Sequence, residues 1–272
     1  MHVVANNFES PIPDTRELDA AYQRGSDLVG IDLREDEQVA LVDELSKFRR
    51  ELDSLPRYPT DDPAQFHFGN DRFDGIDACL LWCLVRHVQP GRVVEVGSGL
   101  STLLAAQALR RNRDEGGREG QLLAVEPYPP PLLDIGALEV ASLREEPVQN
   151  VALSTFTDLG PDDILFIDSS HVLKTGSDVQ YLYLEVLPRL APGVVVHVHD
   201  IFLPWEYPRE WLTKASRFWN EQYLLQAFLI FNRRFEVLWA STLMNAKDPD
   251  RLRRVFGVDR TEGGSFWMRV VA

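Results

Sequence analysis

The sequence predicts an α/β fold in which helices cover both faces of a mostly parallel β-sheet. Between residues 74 and 200, short runs of valine, isoleucine and leucine alternate with segments of helical periodicity. Continuous apolar runs of this kind are typical of parallel strands, which are buried on both faces. The pairs Pro90-Gly91 and Pro192-Gly193 each follow a helical segment and precede a strand, so they mark where those helices end.

Residues 1–65 are predicted to form a helical cap on the main domain, which comprises residues 66–272. The first 30 residues are mixed in character, with Pro11 and Pro13, and we expect them to lie extended over the surface. From Asp36 to Leu55, apolar residues recur every three or four positions, which is typical of an amphipathic helix. The pattern is too short to favour a coiled coil.

The main domain is predicted to alternate helices and strands. We expect helices at 75–88, 101–111, 177–190 and 209–230. We expect strands at 92–96, 121–125, 148–153, 164–167, 194–198, 235–240 and 265–271. Regular structure cannot continue after the second strand because of Pro127, Pro129, Pro130 and Pro131. The last two strands are predicted to pair antiparallel at the edge of the sheet.

The composition is that of a globular protein and predicts a cytoplasmic location. The net charge of −14, from 28 basic and 42 acidic residues, argues against a nucleic-acid-binding face. Cys79 and Cys83 suggest two buried thiols in a reducing compartment rather than a disulfide framework. The N-terminus lacks a signal-peptide pattern, and no apolar run approaches the ~18 residues of a membrane span. We expect no nucleic-acid or membrane partner; the one protein partner considered is a second copy, in a homo-oligomer.

Four predicted strand ends carry acidic or histidine side chains: Glu95, Glu126, Asp168 and the pair His199-Asp200. Ligands of open α/β sheets bind beyond the carboxyl ends of the strands, so these residues together predict a site. After the first strand, Gly97 and Gly99 let the backbone approach a ligand, and the next helix offers free N–H groups. The carboxylate of Glu95 would repel a phosphate. A ligand with a cationic amino acid moiety fits it better.

A dinucleotide site, as in a nicotinamide-dependent oxidoreductase, is the enzymatic alternative. The G-x-G-x-x-G pattern of such sites would need a glycine where this chain has Thr102. The interval from Glu95 to Glu126 is also longer than the roughly 20 residues that separate the glycines from the ribose-binding acid in such sites. Both observations, and the acid at Glu95, disfavour the oxidoreductase.

Residues from about 70 to 200 resemble a class I S-adenosylmethionine-dependent methyltransferase. The segment from Glu95 to Ser101 is similar to the acid-x-Gly-x-Gly-x-Gly/Ser loop of that superfamily, and Glu126 matches its ribose-binding acid. The segments 166–171 and 198–202 look most like small-molecule O-methyltransferases, above all the macrocin-type sugar O-methyltransferases. The resemblance implies a Rossmann-like three-layer sandwich with a seven-stranded sheet and a reversed final strand.

The resemblance also implies a cofactor site and a catalytic group. The cofactor S-adenosylmethionine would be bound by Glu95, Gly97, Ser98, Gly99, Ser101, Thr102, Glu126 and Asp168. The catalytic residues would be Asp168, His171, His199 and Asp200. His171 stands three residues after Asp168, and macrocin-type enzymes use a histidine in the matching position as general base. A histidine bonded to the loop backbone is the alternative interpretation of His171.

A divalent metal is predicted between Asp168 and Asp200, because related metal-dependent O-methyltransferases bind Mg²⁺ with carboxylates. His199 stands where those families usually have another oxygen ligand. This difference leaves two alternatives open: no metal, or an ion that tolerates nitrogen ligands better, such as Mn²⁺ or Fe²⁺. We expect His197 to point to the opposite face of the sheet from His199 and to have a structural role.

The aromatic residues after Asp200 divide into two groups. Trp211, Phe218 and Trp219 would share one face of a helix, which favours core packing. In the preceding loop, Phe202, Trp205 and Tyr207 could line an acceptor pocket, with Glu206 as a polar contact. Lys174 is either a surface charge or a contact to an acidic acceptor.

The sequence therefore predicts an S-adenosylmethionine-dependent O-methyltransferase that acts on a hydroxyl of a small molecule or a glycan. A non-catalytic binding or regulatory subunit with the same fold is the alternative from another class of function. Such a subunit need not keep both the glycine loop and the group at Asp168, His171, His199 and Asp200.

Overall fold

A computed structural model describes residues 10–16, 18–22, 24–130 and 138–272. Part of the first 30 residues, for which an extended segment is predicted, and the predicted break at Pro131 lie outside this set. The described strands are β1 Arg92–Val96, β2 Gln121–Val125, β3 Ala141–Arg144, β4 Ile164–Ile167, β5 Val195–Val198, β6 Phe235–Ala240 and β7 Phe266–Val270. The described α-helices are α1 Asp19–Tyr22, α2 Glu35–Leu45, α3 Arg49–Ser54, α4 Gly75–Val88, α5 Leu100–Asp114, α6 Ser154–Thr157, α7 Asp178–Tyr181, α8 Arg209–Thr213, α9 Glu221–Leu229, α10 Ser241–Lys247 and α11 Pro249–Phe256.

The seven strands form one sheet in the order β3-β2-β1-β4-β5-β7-β6. β1 pairs in parallel with β2 on one side and with β4 on the other. The strand order therefore reverses at β1, and such a switch point leaves a crevice beyond the carboxyl ends of the strands. β7 lies between β5 and β6 and is antiparallel to both. The predicted α/β sandwich, with a mostly parallel sheet and a reversed final strand, is confirmed.

Alternate residues of the buried strands enter hydrophobic cores on opposite faces of the sheet. Val93 packs with α4 and α5 on one face, whereas Val94 packs on the other face with the segment that begins at α7. That segment continues as a π-helical turn, Leu182–Val186, and a 3₁₀ turn, Leu187–Arg189. It occupies most of the helix predicted at 177–190.

The predicted helix near residues 36–55 consists of α2, a 3₁₀ turn at Ser46–Phe48 and α3. Its apolar side chains share a core with α4 and α5. Glu51 of α3 accepts hydrogen bonds from Arg86 Nε at 2.9 Å and Trp82 Nε1 at 3.0 Å, both on α4. These contacts attach the N-terminal helices to the main domain. The domain boundary at residue 65 stays a prediction.

The expectation of an extended surface segment over the first 30 residues is only partly correct. Within its described part, α1 is helical, and Leu18 and Leu28 are buried. The Ser26 N–H donates to the carbonyl of Pro204 at 2.7 Å. Among the described residues, none of the helices is both long enough and apolar enough to cross a bilayer.

The strand predicted at 148–153 is wrong. Val148–Asn150 is a 3₁₀ turn, and the third strand, β3, lies earlier in the chain. Val148 and Val151 are both buried and stand three positions apart, which is the spacing of a helical turn rather than of a strand. β3 lies at the edge of the sheet and alternates half-buried with exposed residues, so it has no apolar run to reveal it.

The single helix predicted at 209–230 is also wrong, because α8 and α9 are separate. Between them, Ser216 adopts a left-handed conformation (φ 53°) and the N–H of Arg217 donates to the Trp211 carbonyl at 2.8 Å. The N–H groups of Asn220 and Glu221 then donate to the carbonyl of His171 at 3.1 and 3.2 Å. Contacts with a distant loop therefore decide where α9 begins.

Candidate active site

The glycine loop at the end of β1 has one position that requires glycine. Gly97 has φ 102°, and a Cβ there would collide with the carbonyl oxygen of Asp168. The close approach of the ends of β1 and β4 depends on this residue. Gly99 differs, because its backbone is extended and an added Cβ would have no neighbour within 4 Å in the described structure. The Thr102 hydroxyl accepts a hydrogen bond from the Gly99 N–H at 2.9 Å, which stabilises the start of α5.

Glu95 is buried at the carboxyl end of β1. The Ser101 hydroxyl donates to its Oε1 at 2.6 Å, while its Oε2 is buried without a hydrogen-bond partner. Burial raises the pKa of Glu95 to about 8, although the neighbouring hydroxyls of Ser101 and Thr102 lower it. A buried carboxylate in this state is stabilised by any cationic group that reaches it. The hydroxyls of Ser98 and Ser169 are also buried without a partner.

A cavity of about 470 Å³ opens beside this loop. Its volume lies in the range of ligand pockets. Its lining comes from the ends of β1, β2 and β4 and the loops that follow: Val96, Gly97, Val125, Glu126, Pro127, Tyr128, Pro147, Val148, Gln149, Asp168, Ser169, Ser170, Lys174, Gly176, Ser177 and Asp178. The Tyr128 N–H donates to Glu126 Oε1 at 2.7 Å, which holds the carboxylate at the rim. Two other open grooves, at 26–37 and along β6, lie away from these strand ends.

Asp168, His171 and Asp200 meet at the ends of β4 and β5. Each offers one ligand atom, and these three atoms lie within 4.8 Å of one another. His171 Nε2 is 3.2 Å from Asp168 Oδ1 and 3.7 Å from Asp200 Oδ2. On the other side of the ring, His171 Nδ1 is 2.9 Å from Glu221 Oε2. Both ring nitrogens therefore face carboxylates, so the alternative of a ring bonded to the loop backbone is wrong.

This cluster is strongly coupled electrostatically. Burial would lower the pKa of His171, but Asp168 and Glu221 outweigh it and raise that pKa to about 10. Burial would likewise raise the pKa of Asp168, yet the charges of His199 and His171 hold it below its usual value. For Asp200, burial prevails and the pKa is raised. In this state His171 carries a proton at neutral pH.

The prediction that His197 points away from His199 is wrong. Residues two apart in a strand lie on the same face, and the two rings are 5.6 Å apart. His197 is fully buried, stacks on Phe166 at 3.9 Å and contacts Ser265 Oγ at 3.0 Å, which agrees with a structural role. His199 Nε2 lies 3.7 Å from Asp200 Oδ1, and His199 Nδ1 is buried without a partner. Among the described residues, His199 lies outside the three-residue group of ligand atoms.

One protein-family model matches part of this chain, and one distantly related protein matches a longer part. Residues 94–201 match the family model described as "Methyltransferase domain". An uncharacterized protein of Archaeoglobus fulgidus is 29% identical over 162 residues, which are 56% of this chain and 72% of that protein. This match and the seven-stranded sheet support the predicted class, an S-adenosylmethionine-dependent methyltransferase of class I.

Solved structures with distant similarity include an apo structure of CmcI, with 14% identity, a TM-score of 0.45, and coverage of 74% of this chain and 72% of that chain. A CmcI structure with SAH has 14% identity, a TM-score of 0.42, and coverage of 82% and 91%. A CmcI structure with Mg-SAM has 15% identity, a TM-score of 0.38, and coverage of 74% and 73%.

Two tryptophans after Asp200, predicted to pack in the core, lie instead beside the cluster of Asp168, His171 and Asp200. Trp219 is half-buried, its ring lies 4.2 Å from that of His171, and Trp211 packs on Trp219 at 5.0 Å. The Arg217 guanidinium lies 5.1 Å from the ring centres of both tryptophans.

The loop residues proposed to line an acceptor pocket differ in exposure. Tyr207 is buried, and its hydroxyl accepts from the Gln222 N–H at 3.0 Å. Trp205 is 40% exposed, Lys174 is exposed at the cavity, and Glu206 accepts from the Tyr223 hydroxyl.

Sequence reasoning missed two buried acids at the methyltransferase site. Glu221 faces His171, as described above. Asp77, in the first turn of α4, accepts from the N–H groups of Gly264 and Ser265 at 2.9 and 3.0 Å. The Gly264 carbonyl in turn accepts from the Ile201 N–H at 2.8 Å, directly after Asp200. Neither acid ends a strand or belongs to a motif, so no local signal could have found them.

Proposed function

We propose that this methyltransferase transfers the methyl group of S-adenosylmethionine to a hydroxyl of a small molecule or a glycan. The observation that carries the proposal is the meeting of Asp168, His171 and Asp200 beside a cavity at the switch point of the sheet. A donor site alone would serve any methyl acceptor. A histidine between two carboxylates adds the means to bind and deprotonate a hydroxyl.

The donor fits the glycine loop on chemical grounds. The ammonium group of the methionine moiety would satisfy the buried, unpartnered Oε2 of Glu95. Gly99 leaves open space beside the loop, and the unpartnered hydroxyls of Ser98 and Ser169 offer further hydrogen bonds. Glu126 at the cavity rim suits the two hydroxyls of a ribose. We therefore assign donor binding to Glu95, Gly97, Ser98, Gly99, Ser101, Glu126 and Asp168, and a supporting role at the start of α5 to Thr102.

The residues also fit a divalent cation. Asp168 and Asp200 would hold it, and two carboxylates with imidazole nitrogens nearby suit Mn²⁺ or Fe²⁺ at least as well as Mg²⁺. Bound there, a cation would neutralise the two carboxylates and lower the pKa of an acceptor hydroxyl. His199, beside Asp200, adds a second nitrogen near this position.

His171 is the proposed base. Its Nε2 can accept a proton only when Asp168 no longer stabilises the charged ring, since Asp168 and Glu221 together raise the pKa of His171. In that state the hydroxyl proton passes to Nε2, the oxygen electron pair forms the bond to the methyl carbon, and the S–CH₃ bond breaks. Trp219 and Trp211 beside the imidazole offer flat surfaces for the acceptor, and Arg217 and Lys174 offer cationic contacts.

Two further expectations belong to this proposal. A cytoplasmic location is supported by Cys79 and Cys83, which are free and buried. A small acceptor, rather than a nucleic acid, is supported by the net charge of −14. A homo-oligomer stays a prediction.

Titration calorimetry with S-adenosylhomocysteine and with NAD tests the donor site. We expect S-adenosylhomocysteine to bind and NAD not to bind; the reverse result would support the oxidoreductase alternative and end the proposal. Transfer of labelled methyl groups to a panel of glycosides and phenols, with Mg²⁺ or Mn²⁺, then tests the acceptor class. Labelling of amines or thiols in place of hydroxyls would contradict O-methylation. A binding-competent protein that labels no acceptor at all would favour the non-catalytic subunit.

A further inference from the structure

We propose that Glu221 is a positioning residue whose carboxylate accepts the Nδ1–H of His171 and so directs Nε2 towards Asp168 and Asp200. The inference rests on the proposed function, in which Nε2 receives the proton of the acceptor. Glu221 lies 50 positions after His171 in the chain and is brought to it by the start of α9.

The Glu221 side chain is fully buried, and its Oε2 lies 2.9 Å from His171 Nδ1. A buried carboxylate is costly unless it is paired. Within the described structure its other oxygen, Oε1, completes no hydrogen bond, so the contact with His171 is the one that compensates the buried charge. Glu221 contacts Nδ1, the ring nitrogen that does not face Asp168 and Asp200.

The backbone at the start of α9 holds His171 a second time. The carbonyl of His171 accepts from the N–H groups of Asn220 and Glu221. The side chain of Asn220 accepts from the Leu173 N–H at 2.6 Å and so fixes the loop after His171. These contacts maintain the left-handed conformation of His171 (φ 59°). Trp219 covers one face of the imidazole at 4.2 Å, which restricts rotation of the ring.

Tyr183 stands behind Glu221. It is buried and belongs to the π-helical turn Leu182–Val186, a kind of irregularity that is frequent at functional sites. Burial raises the pKa of Glu221, while His171 lowers it. Among the residues described, the Tyr183 hydroxyl and Glu221 Oε1 are both buried without a hydrogen-bond partner, so His171 is the polar side chain that Glu221 contacts.

The consequence for His171 is a fixed tautomer. A neutral imidazole carries one proton, and the nitrogen that keeps it is set by the hydrogen bond that the ring makes. In the proposed function Asp168 and Asp200 no longer stabilise a proton on Nε2, whereas the Glu221 carboxylate at Nδ1 can only accept. The proton therefore stays on Nδ1, and Nε2 is left as the acceptor. A glutamine at position 221 could donate instead and would permit the opposite tautomer, in which Nε2 cannot act as a base.

The test compares Glu221→Gln with Glu210→Gln, which removes an exposed carboxylate of α8 that pairs with Lys214. In protein labelled with ¹⁵N-histidine, we expect the wild type to show a strongly downfield, slowly exchanging Nδ1–H resonance. A His171→Ala variant, which lacks the ring, identifies it. The resonance should lose its strong downfield shift or vanish in Glu221→Gln, because the carboxylate acceptor is gone, and it should be unchanged in Glu210→Gln. Its absence from the wild type, or an unchanged position in Glu221→Gln, would overturn the inference.

The functional arm uses the acceptor identified by the methyl-transfer panel. Glu221→Gln should lower kcat about 10- to 100-fold and leave the KM for S-adenosylmethionine within about twofold, with partial recovery in Glu221→Asp. Wild-type kcat in Glu221→Gln would contradict a positioning role. Binding of S-adenosylhomocysteine to each variant shows that it is folded. If the wild type fails to bind S-adenosylhomocysteine, the proposed function fails, while the histidine resonance still decides the role of Glu221. If Glu221→Gln does not fold, Glu221→Asp decides: its shorter side chain lengthens the contact to Nδ1, so a resonance at the wild-type position would then overturn the inference.

Discussion

The proposed donor side and the proposed catalytic side of this site differ in how their residues are brought together. On the donor side, Glu95 to Thr102 are consecutive in sequence and lie at one junction between a buried strand and a helix. On the catalytic side, Asp168, His171, Asp200 and Glu221 come from separate segments. Residues of a consecutive motif are held near one another by the local backbone. The residues of the catalytic group become neighbours only when the sheet and α9 have formed.

The two sides also differ in backbone conformation. The left-handed residue of the donor loop is Gly97, which adopts φ 102° without steric cost. On the catalytic side, His171 (φ 59°) and Asp200 (φ 57°) are left-handed and carry side chains, which costs roughly 1–2 kcal/mol each. Such conformations persist only where surrounding structure holds them. The catalytic side should therefore respond to distant substitutions, and the donor side mainly to substitutions within its own loop.

The largest effect is expected from Gly97→Ala. Its Cβ would collide with the Asp168 carbonyl at φ 102°, so we expect a loss of about 3 kcal/mol or more in the free energy of unfolding, together with loss of S-adenosylhomocysteine binding. Gly99→Ala is the matched control, since its Cβ meets no described atom within 4 Å. It should keep its stability in urea unfolding and lose about tenfold in affinity, because the added methyl group enters space proposed for the donor. Equal stability losses in the two variants would contradict the distinction.

On the catalytic side, the affinity for Mn²⁺ distinguishes a metal ligand from a general base. Asp168→Ala should lower the affinity for Mn²⁺ about 100-fold, measured by electron paramagnetic resonance of the free ion, because one of two carboxylate ligands is lost. His171→Ala should change that affinity less than about fivefold, since the base role leaves Nε2 free for the acceptor. Asp162→Ala, which removes a half-buried acid that pairs with Arg269, is the control. A loss in His171→Ala as large as that in Asp168→Ala would make His171 a metal ligand rather than the base.

The same contrast, between residues joined by the local backbone and residues joined across the fold, explains which parts of the molecule could be predicted from the sequence. The strands at 92–96, 121–125 and 164–167 were predicted to the residue, because their apolar runs are buried on both faces. The edge strand β3 has no such run and was missed. The acids Glu95, Asp168 and Asp200 were found because strand ends converge in a parallel sheet. Glu221 was not, since the break before α9 depends on hydrogen bonds to the carbonyl of His171, a contact across 50 residues that no local pattern encodes.

A smaller effect should appear in the pH dependence of the donor side. The pKa of Glu95 is raised from 4.5 to about 8, so the folded state binds this proton more tightly than the unfolded chain. Its contribution to stability is fully present below pH 4.5 and is lost as the pH rises towards 8. Relative to Glu95→Gln, the wild type should therefore lose on the order of 2–3 kcal/mol between pH 5.5 and pH 7.5 in urea unfolding. S-adenosylhomocysteine should reduce that loss, because its ammonium group favours the ionised carboxylate. If the free energy of unfolding of the two proteins changes by the same amount between pH 5.5 and pH 7.5, Glu95 does not hold the proton.

The smallest effect is expected at Thr102, which the sequence motif places among the donor-binding residues. In the structure its buried hydroxyl accepts from the Gly99 N–H at 2.9 Å, so its role is to start α5. Thr102→Val keeps the shape of the side chain and removes this acceptor, which should cost about 1 kcal/mol in the free energy of unfolding. The affinity for S-adenosylhomocysteine should stay within about threefold of the wild type, because the loop keeps Glu95 and Gly97. Ser101→Ala is the comparison, since it removes the hydroxyl that donates to Glu95 and should weaken binding more than Thr102→Val does. If Thr102→Val loses more affinity than Ser101→Ala, Thr102 contacts the donor. Every residue of this loop that the motif assigns to donor binding would then be correct.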